Sequence, residues 1–303
     1  MILCVGLTPT IQRTQRFARF TLGEVNRAIE TVTTASGKAV NVARVLDTLG
    51  APVCLAHPLG GDSGRYVHRN LPFRQAAIRP QDDAPTRTCC TLLSDAITTE
   101  LVEEAPPLSE ADTERMIETI RALLPEATVL SLSGSLPPGV AVSFYARLCT
   151  ASPVPVVLDA QREPLRLALA ERPFLVKPNR QESIAALGLS SDASALACAH
   201  ALRTAGAQNA LVSEGKAGAV LLTDEGAWRV LPPPITPLNP IGSGDALMAG
   251  VLFSHFVQGQ SLLSAVQFGT ACAAANCLTL TSGVVDTETI NQLLSQVVLE
   301  SVQ

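Results

Sequence analysis

Strand-length apolar runs recur along this chain, separated by helix-length segments, and that alternation limits the fold more than any other feature. The runs cover residues 2–7, 53–59, 128–132, 154–158, 174–176 and 210–212. A strand that is apolar at nearly every position has both of its faces covered. Between the runs, residues 40–49, 110–124, 142–149, 164–170 and 193–205 read as helices. Ser109, with Asp112 three residues on, marks a helix start. The pattern predicts a mostly parallel sheet with helices on both faces, the α/β class.

Two segments break the rhythm. Residues 13–34 and 86–104 alternate apolar and polar positions, as in Ile29-Glu30-Thr31-Val32 and Thr99-Glu100-Leu101-Val102-Glu103. That alternation belongs to antiparallel strands with one wet face. Two such insertions predict a small sheet standing over the edge of the main one, as a lid. Residues 245–280 read as almost continuously helical, and their small residues predict close helix packing.

A length of 303 residues suits one large α/β domain or two smaller ones. The net charge of −5 argues against nucleic acid or acidic membranes as partners. No apolar run reaches the roughly 18 residues that a membrane span needs. The chain enters Met1-Ile2-Leu3-Cys4-Val5 without a basic region or cleavage site, so no signal peptide is visible. Eight cysteines form no Cys-x-x-Cys pair and lie mostly in apolar runs. They read as small buried residues of a cytoplasmic, reducing compartment.

The segment Asn239-Pro240-Ile241-Gly242-Ser243-Gly244-Asp245 runs into an apolar, helix-like stretch. Glycines let a backbone come close to a ligand, and a helix start offers unpaired amides to an anion. Asp245 is placed to touch whatever those amides hold, which suggests phosphoryl transfer with Asp245 as the base. A plain loop end with Asp245 as a helix cap accounts for the same letters.

Other turns follow the expected strands. Ser36-Gly37-Lys38-Ala39-Val40-Asn41 opens the first long helix; Lys38 and Asn41 suit a sugar or its phosphate, or else a capped helix with a solvated lysine. Ser133-Gly134-Ser135 lies beyond a strand's carboxyl end, where ligands collect in open α/β sheets, although Ser- and Pro-rich turns are common there. In Lys177-Pro178-Asn179-Arg180-Gln181-Glu182, Asn179 and Glu182 share one helix face and either organise water around Mg2+ or cap the helix. Ser213-Glu214-Gly215-Lys216-Ala217-Gly218 is a nucleotide-contacting turn or a simple hairpin turn. The fork of Arg87 suits a phosphate, and it suits a solvated surface equally.

In their joint order these pieces resemble the ribokinase-like (PfkB) sugar kinases, over essentially the whole chain. The likeness is strongest to the branch containing 1-phosphofructokinase and tagatose-6-phosphate kinase. It includes Leu22-Gly23-Glu24-Val25-Asn26-Arg27, Gly37-Lys38 with Asn41, Leu59-Gly60-Gly61, Thr86-Arg87-Thr88, residues 131–139, residues 177–182 and Gly242-Ser243-Gly244-Asp245. The resemblance implies a single ribokinase-like domain over 1–303: a three-layer α/β/α Rossmann-like body with lid strands inserted at about 13–34 and 86–104. It implies that Asp245 is the base and that the amides of Gly242, Ser243 and Gly244 form an anion hole. It implies that Gly37, Lys38, Asn41, Arg87 and Ser135 hold the phosphosugar. Asn179 and Glu182 would organise Mg2+, Lys177 would meet the ATP phosphates, and Ser213, Gly215, Gly218 and Asn276 would surround the nucleotide.

Three departures fall at the acceptor site. The branch usually carries Asn-Pro-Ala, an apolar residue, then Asp-Arg, where this chain has Thr8-Pro9-Thr10-Ile11-Gln12-Arg13, so neutral Gln12 replaces a carboxylate that grips sugar hydroxyls. The usual Gly-Gly-Lys-Gly is Ser36-Gly37-Lys38-Ala39, which adds bulk near the phosphate, and Cys89 stands where Asn is usual. The resulting expectation is an ATP- and Mg2+-dependent kinase for a ketohexose phosphate, with fructose 1-phosphate favoured over tagatose 6-phosphate or fructose 6-phosphate. A catalytically weak phosphosugar or nucleotide sensor is the alternative of another class. A homodimer through the lid, by an apolar face including Phe17 and Phe20, is also expected.

Overall fold

A computed structural model of the chain describes residues 1–94 and 97–302. Positions 95 and 96, inside the second expected insertion, lie outside the described residues. The strands are β1 (Ile2–Val5), β2 (Thr10–Arg16), β3 (Glu30–Ser36), β4 (Val53–Pro58), β5 (Arg74–Ile78), β6 (Thr88–Ser94), β7 (Ile97–Val102), β8 (Val129–Ser133), β9 (Val156–Asp159), β10 (Leu175–Val176), β11 (Asn209–Ser213), β12 (Ala219–Leu222), β13 (Ala227–Leu231) and β14 (Val298–Val302). The helices are α1 (Lys38–Thr48), α2 (Gly61–Arg69), α3 (Glu110–Leu123), α4 (Phe144–Ala151), α5 (Arg162–Leu169), α6 (Arg180–Leu187), α7 (Ala195–Thr204), α8 (Ser243–Phe256), α9 (Leu262–Cys277) and α10 (Thr287–Leu294).

Alternate side chains of the apolar strands divide between two cores. Ile2, Cys4, Val53, Leu55, Val157 and Leu211 pack with residues of α1, α8 and α9. Leu3, Val5, Cys54, Ala56, Leu158 and Val212 pack with α3, α4 and α7 on the other face. The result is a mixed α/β, ribokinase-like arrangement: a ten-stranded sheet in the order β14-β13-β12-β11-β10-β9-β8-β1-β4-β5, flanked by helices. Pairing is parallel from β5 to β11 and antiparallel from β11 to β14. The chain runs from β1 outward to β4 and β5, then returns to β8 on the other side of β1. The crevice beyond the carboxyl ends at such a reversal is where open α/β sheets bind ligands.

The second sheet has the order β3-β2-β6-β7. Each hairpin is antiparallel, but β2 and β6 run parallel, which corrects the purely antiparallel expectation. The strands also reach Thr10 and Ser36, outside the expected 13–34, while Phe17 and Phe20 lie beyond the end of β2. The helical stretch expected over 245–280 is two helices. Gly259, with φ +71°, turns the chain, and the Ser261 hydroxyl accepts from the Ser264 amide at 3.1 Å to start α9. α8 and α9 cross where a Cβ on Gly250 would lie 2.6 Å from Gly269 Cα, the close packing that the small residues predicted.

Candidate active site

Several loops at the carboxyl ends of the strands converge on one open cavity of about 510 Å3. α8 begins there. Gly242 precedes it with φ +84°, and a Cβ at that position would sit 2.8 Å from the Ser282 Cβ, so only glycine fits. The amides of Gly242 and Gly244 have no hydrogen-bond partner among the described residues. The Ser243 amide donates to Pro240 O at 3.3 Å and the Asp245 amide to Gly242 O at 3.1 Å. The helix start therefore presents unpaired donors to the cavity.

Asp245 is only 7% exposed. Burial pushes its carboxyl up to about 6; Lys38, the Asn41 amide and Lys177 oppose the rise, and Asp159 adds to it. The Asn41 Nδ2 donates to Asp245 Oδ2 at 2.8 Å. A carboxyl raised in this way is a stronger base than a free carboxylate, which suits general-base chemistry.

The sequence reading missed Asp159, at the end of β9. It joins two lysines: Lys38 Nζ lies 3.0 Å from its Oδ1 and Lys177 Nζ 2.9 Å from its Oδ2. Burial alone would raise its carboxyl, yet the two ammonium groups outweigh that and hold it at about 2. Asp159 in turn holds the Lys38 ammonium well above the usual lysine range. Its signal in the sequence was a lone acid closing the apolar run Val156-Val157-Leu158, where ligands gather.

The small sheet forms the opposite wall. Gln12 is buried and its Nε2 donates to Thr91 Oγ1 at 2.7 Å, leaving its Oε1 as the acceptor. Arg87 donates to Glu103 O at 3.0 Å and to Thr8 O at 3.2 Å, and its buried Nε has no partner among the described residues. Cys89, Glu100 and Val102 complete this face. Gly37, Lys38 and Asn41 from the start of α1 also line the cavity. Ser36 lines the cavity too, although it is largely buried and its hydroxyl turns to Asn41 and Ser282. Ala39 is buried as well and packs over Gly6.

Asn179 and Glu182 form a reciprocal cap on α6: Asn179 Oδ1 accepts from the Glu182 amide, and Glu182 Oε2 from the Asn179 amide, both at 2.8 Å. Both also line the cavity, so the capping and ligand readings coexist. Glu182 Oε1 has no hydrogen-bond partner among the described residues, which fits a cation that keeps its waters.

A second cavity of about 440 Å3 adjoins the first, and the two share Ser213, Gly215, Pro240, Ser243 and Gly244. Gly218, Pro233, Ile235, Leu247, Ala274 and Cys277 give it mostly apolar walls. The turn at Gly215 and Gly218 is a hairpin between β11 and β12 and part of this wall at once. Two expected site residues lie elsewhere. Ser135 is exposed and does not line either cavity. Asn276 sits behind the glycine loop, donating to Ile241 O at 2.9 Å and accepting from the Gly283 amide at 2.7 Å, so its amide braces the loop.

Residues 1–288 match the family model described as the pfkB family carbohydrate kinase. The chain belongs to that family. This carbohydrate kinase is 26% identical to a Staphylococcus aureus protein provisionally named a phosphofructokinase, covering 100% of this chain and 99% of that one with a TM-score of 0.80. It is 22% identical to a Thermotoga maritima protein provisionally named a 1-phosphofructokinase, over 100% of both chains, with a TM-score of 0.88. It is 23% identical to Escherichia coli phosphofructokinase-2 in complex with substrates and products, covering 97% of this kinase and 98% of that chain, with a TM-score of 0.87. The last two likenesses establish a shared fold.

Proposed function

We propose that this sugar kinase transfers the terminal phosphoryl group of ATP to a hydroxyl of a ketohexose phosphate. Fructose 1-phosphate, converted to fructose 1,6-bisphosphate, is the favoured acceptor; tagatose 6-phosphate and fructose 6-phosphate are the alternatives. The observation that carries the reading is the buried Asp245 carboxyl beside unpaired helix-start amides, in a cavity that also holds Lys38 and Arg87. A neutral acceptor would not need those two cations. The names of the Staphylococcus aureus and Thermotoga maritima relatives point the same way.

Asp245 takes the proton of the attacking hydroxyl as it bonds to phosphorus. The amides of Gly242 and Gly244, at the turn into Ser243, receive the moving phosphoryl group. Lys38 and Arg87 hold the acceptor's phosphate, with Gly37 giving its backbone room and the Gln12 Oε1 accepting from a sugar hydroxyl. Lys177 faces the ATP phosphates, and Ser213, Gly215 and Gly218 border the nucleotide in the apolar cavity. Asn179 and Glu182 would hold Mg2+ through its waters, and the bound ion would neutralise charge on the phosphates. Closure of the small sheet as a lid excludes water, which protects ATP from hydrolysis.

The test is ADP release by pure protein with Mg-ATP and a panel of free and phosphorylated ketohexoses. Release with one phosphosugar, lowered about 10²-fold or more in Asp245→Ala, supports the assignment. Tight phosphosugar binding without turnover by any acceptor would favour a sensor.

The same proposal includes a homodimer through the outer surface of the small sheet. Ile97 and Leu101 on β7 are exposed, and in the connection between β2 and β3 Leu22 and Val25 are 90% and 79% exposed and Ile29 is exposed too. Of the two phenylalanines first considered, Phe17 is buried against its own chain. A cytoplasmic site agrees with eight unpaired cysteines. No described helix is long and apolar enough to cross a membrane.

A further inference from the structure

Four buried polar residues form a row that ends at the base: Ser282, Ser36, Asn41 and Asp245. Ser36 Oγ donates to Asn41 Oδ1 at 3.0 Å, and Asn41 Nδ2 donates to Asp245 Oδ2 at 2.8 Å. Ser36 and Ser282 hydroxyls lie 3.1 Å apart. A hydroxyl has one proton, and that of Ser36 goes to Asn41, so Ser282 must be the donor of the remaining bond. Every donor in the row then points toward the carboxylate, an arrangement in which each bond strengthens the next.

The far end of the row is anchored. Arg44 donates to Ser282 O at 3.0 Å and to Ala35 O. The Gly283 amide is held by Asn276, and a Cβ on Gly283 would lie 2.7 Å from the Asn41 Cα. An isolated amide on Asn41 would be free to turn over and set its oxygen against Asp245, where two acceptors would meet. The carboxylate disfavours that flip, and the Ser36 hydroxyl reinforces this preference by donating to the amide oxygen; for a turned amide the hydroxyl would have to reverse, accept from the NH2 and donate to Ser282, reversing the row.

We infer that Ser36 is a positioning residue: its hydroxyl orients the Asn41 amide so that the NH2 engages one oxygen of Asp245 and leaves the other oxygen to take the acceptor's proton. Ser36 stands where the resembling sugar kinases usually carry glycine, so this is a feature of the chain itself. The inference rests on Asp245 being the base of the proposed reaction. The other charged groups around Asp245 are Lys38 from α1, Asp159 from β9 and Lys177 after β10, and Ser36 touches none of them.

The test follows the carboxyl carbon of Asp245 by NMR titration of the full-length protein without substrate, assigned by its loss in Asp245→Asn. Loss of the oriented donor makes the charged form less favourable. The titration midpoint in Ser36→Ala is therefore expected to rise by about half a pH unit or more. Ser36→Gly, which restores the family's residue, is expected to do the same and serves if the alanine variant folds poorly. In kinetics, the acid limb of the kcat profile moves to higher pH by a matching amount, while KM for the phosphosugar changes less than about twofold. An unmoved midpoint in a folded Ser36 variant overturns the inference, whatever the protein phosphorylates. A shifted midpoint in a protein that phosphorylates no ketohexose phosphate upholds the positioning role and removes the proposed reaction instead.

Discussion

Asp245 sits in surroundings that oppose its own charge, and this has a consequence for stability as well as chemistry. Its folded value of about 6 lies above the ordinary 3.8, so the folded state carries a penalty at pH 8 that is relieved as pH falls from 6 toward 4. Asp245→Asn is thus expected to raise the thermal midpoint at pH 8, with the gain vanishing near pH 4, while turnover collapses. Calorimetry at the two pH values checks this, and an unchanged midpoint at pH 8 would contradict it. Asp159 has the opposite sign: held at about 2, its contribution is complete above pH 4 and is lost as pH falls through 2. At Gln12, replacement by Leu leaves Thr91 and the sugar hydroxyl without their partner. The expected result is a KM for the phosphosugar raised roughly 5- to 100-fold with KM for ATP little changed, by steady-state kinetics. Asp245 and its glycines were legible because the motif is contiguous. Asp159 and Ser36 were not, because what they do is decided by Lys38, 121 positions from Asp159, and by Ser282, 246 positions from Ser36.

Among the elements, the buried parallel strands were legible because a strand covered on both faces must be apolar throughout. β5, with Arg74 exposed at the sheet edge, carries no such signature and was not anticipated. The parallel join of β2 to β6 was equally hidden, since nothing local to either hairpin specifies it. The start of α8 separates two kinds of glycine. At Gly242 a Cβ meets Ser282 at 2.8 Å and φ is positive; at Gly244 it meets only Lys177 Nζ, at 3.4 Å, an ordinary contact distance. Gly242→Ala is expected to lower both the thermal midpoint and turnover. Gly244→Ala should fold almost normally yet lose turnover, because its methyl stands where an anion must approach the amide. Equal melting losses in the two variants would refute that distinction.

For the whole molecule, the exposed apolar side chains of the small sheet and of its β2–β3 connection set the expected assembly. Leu22→Asp with Val25→Asp should shift the mass measured by light scattering from dimer to monomer, and a wild type already monomeric at micromolar concentration would exclude the dimer. The wall shared by the two cavities has a different consequence. Ser213, Gly215, Pro240, Ser243 and Gly244 line both, so the two proposed ligands would share a wall. Thermodynamic linkage then requires reciprocity: whatever factor a bound nucleotide imposes on the dissociation constant of the phosphosugar, the phosphosugar must impose on the nucleotide.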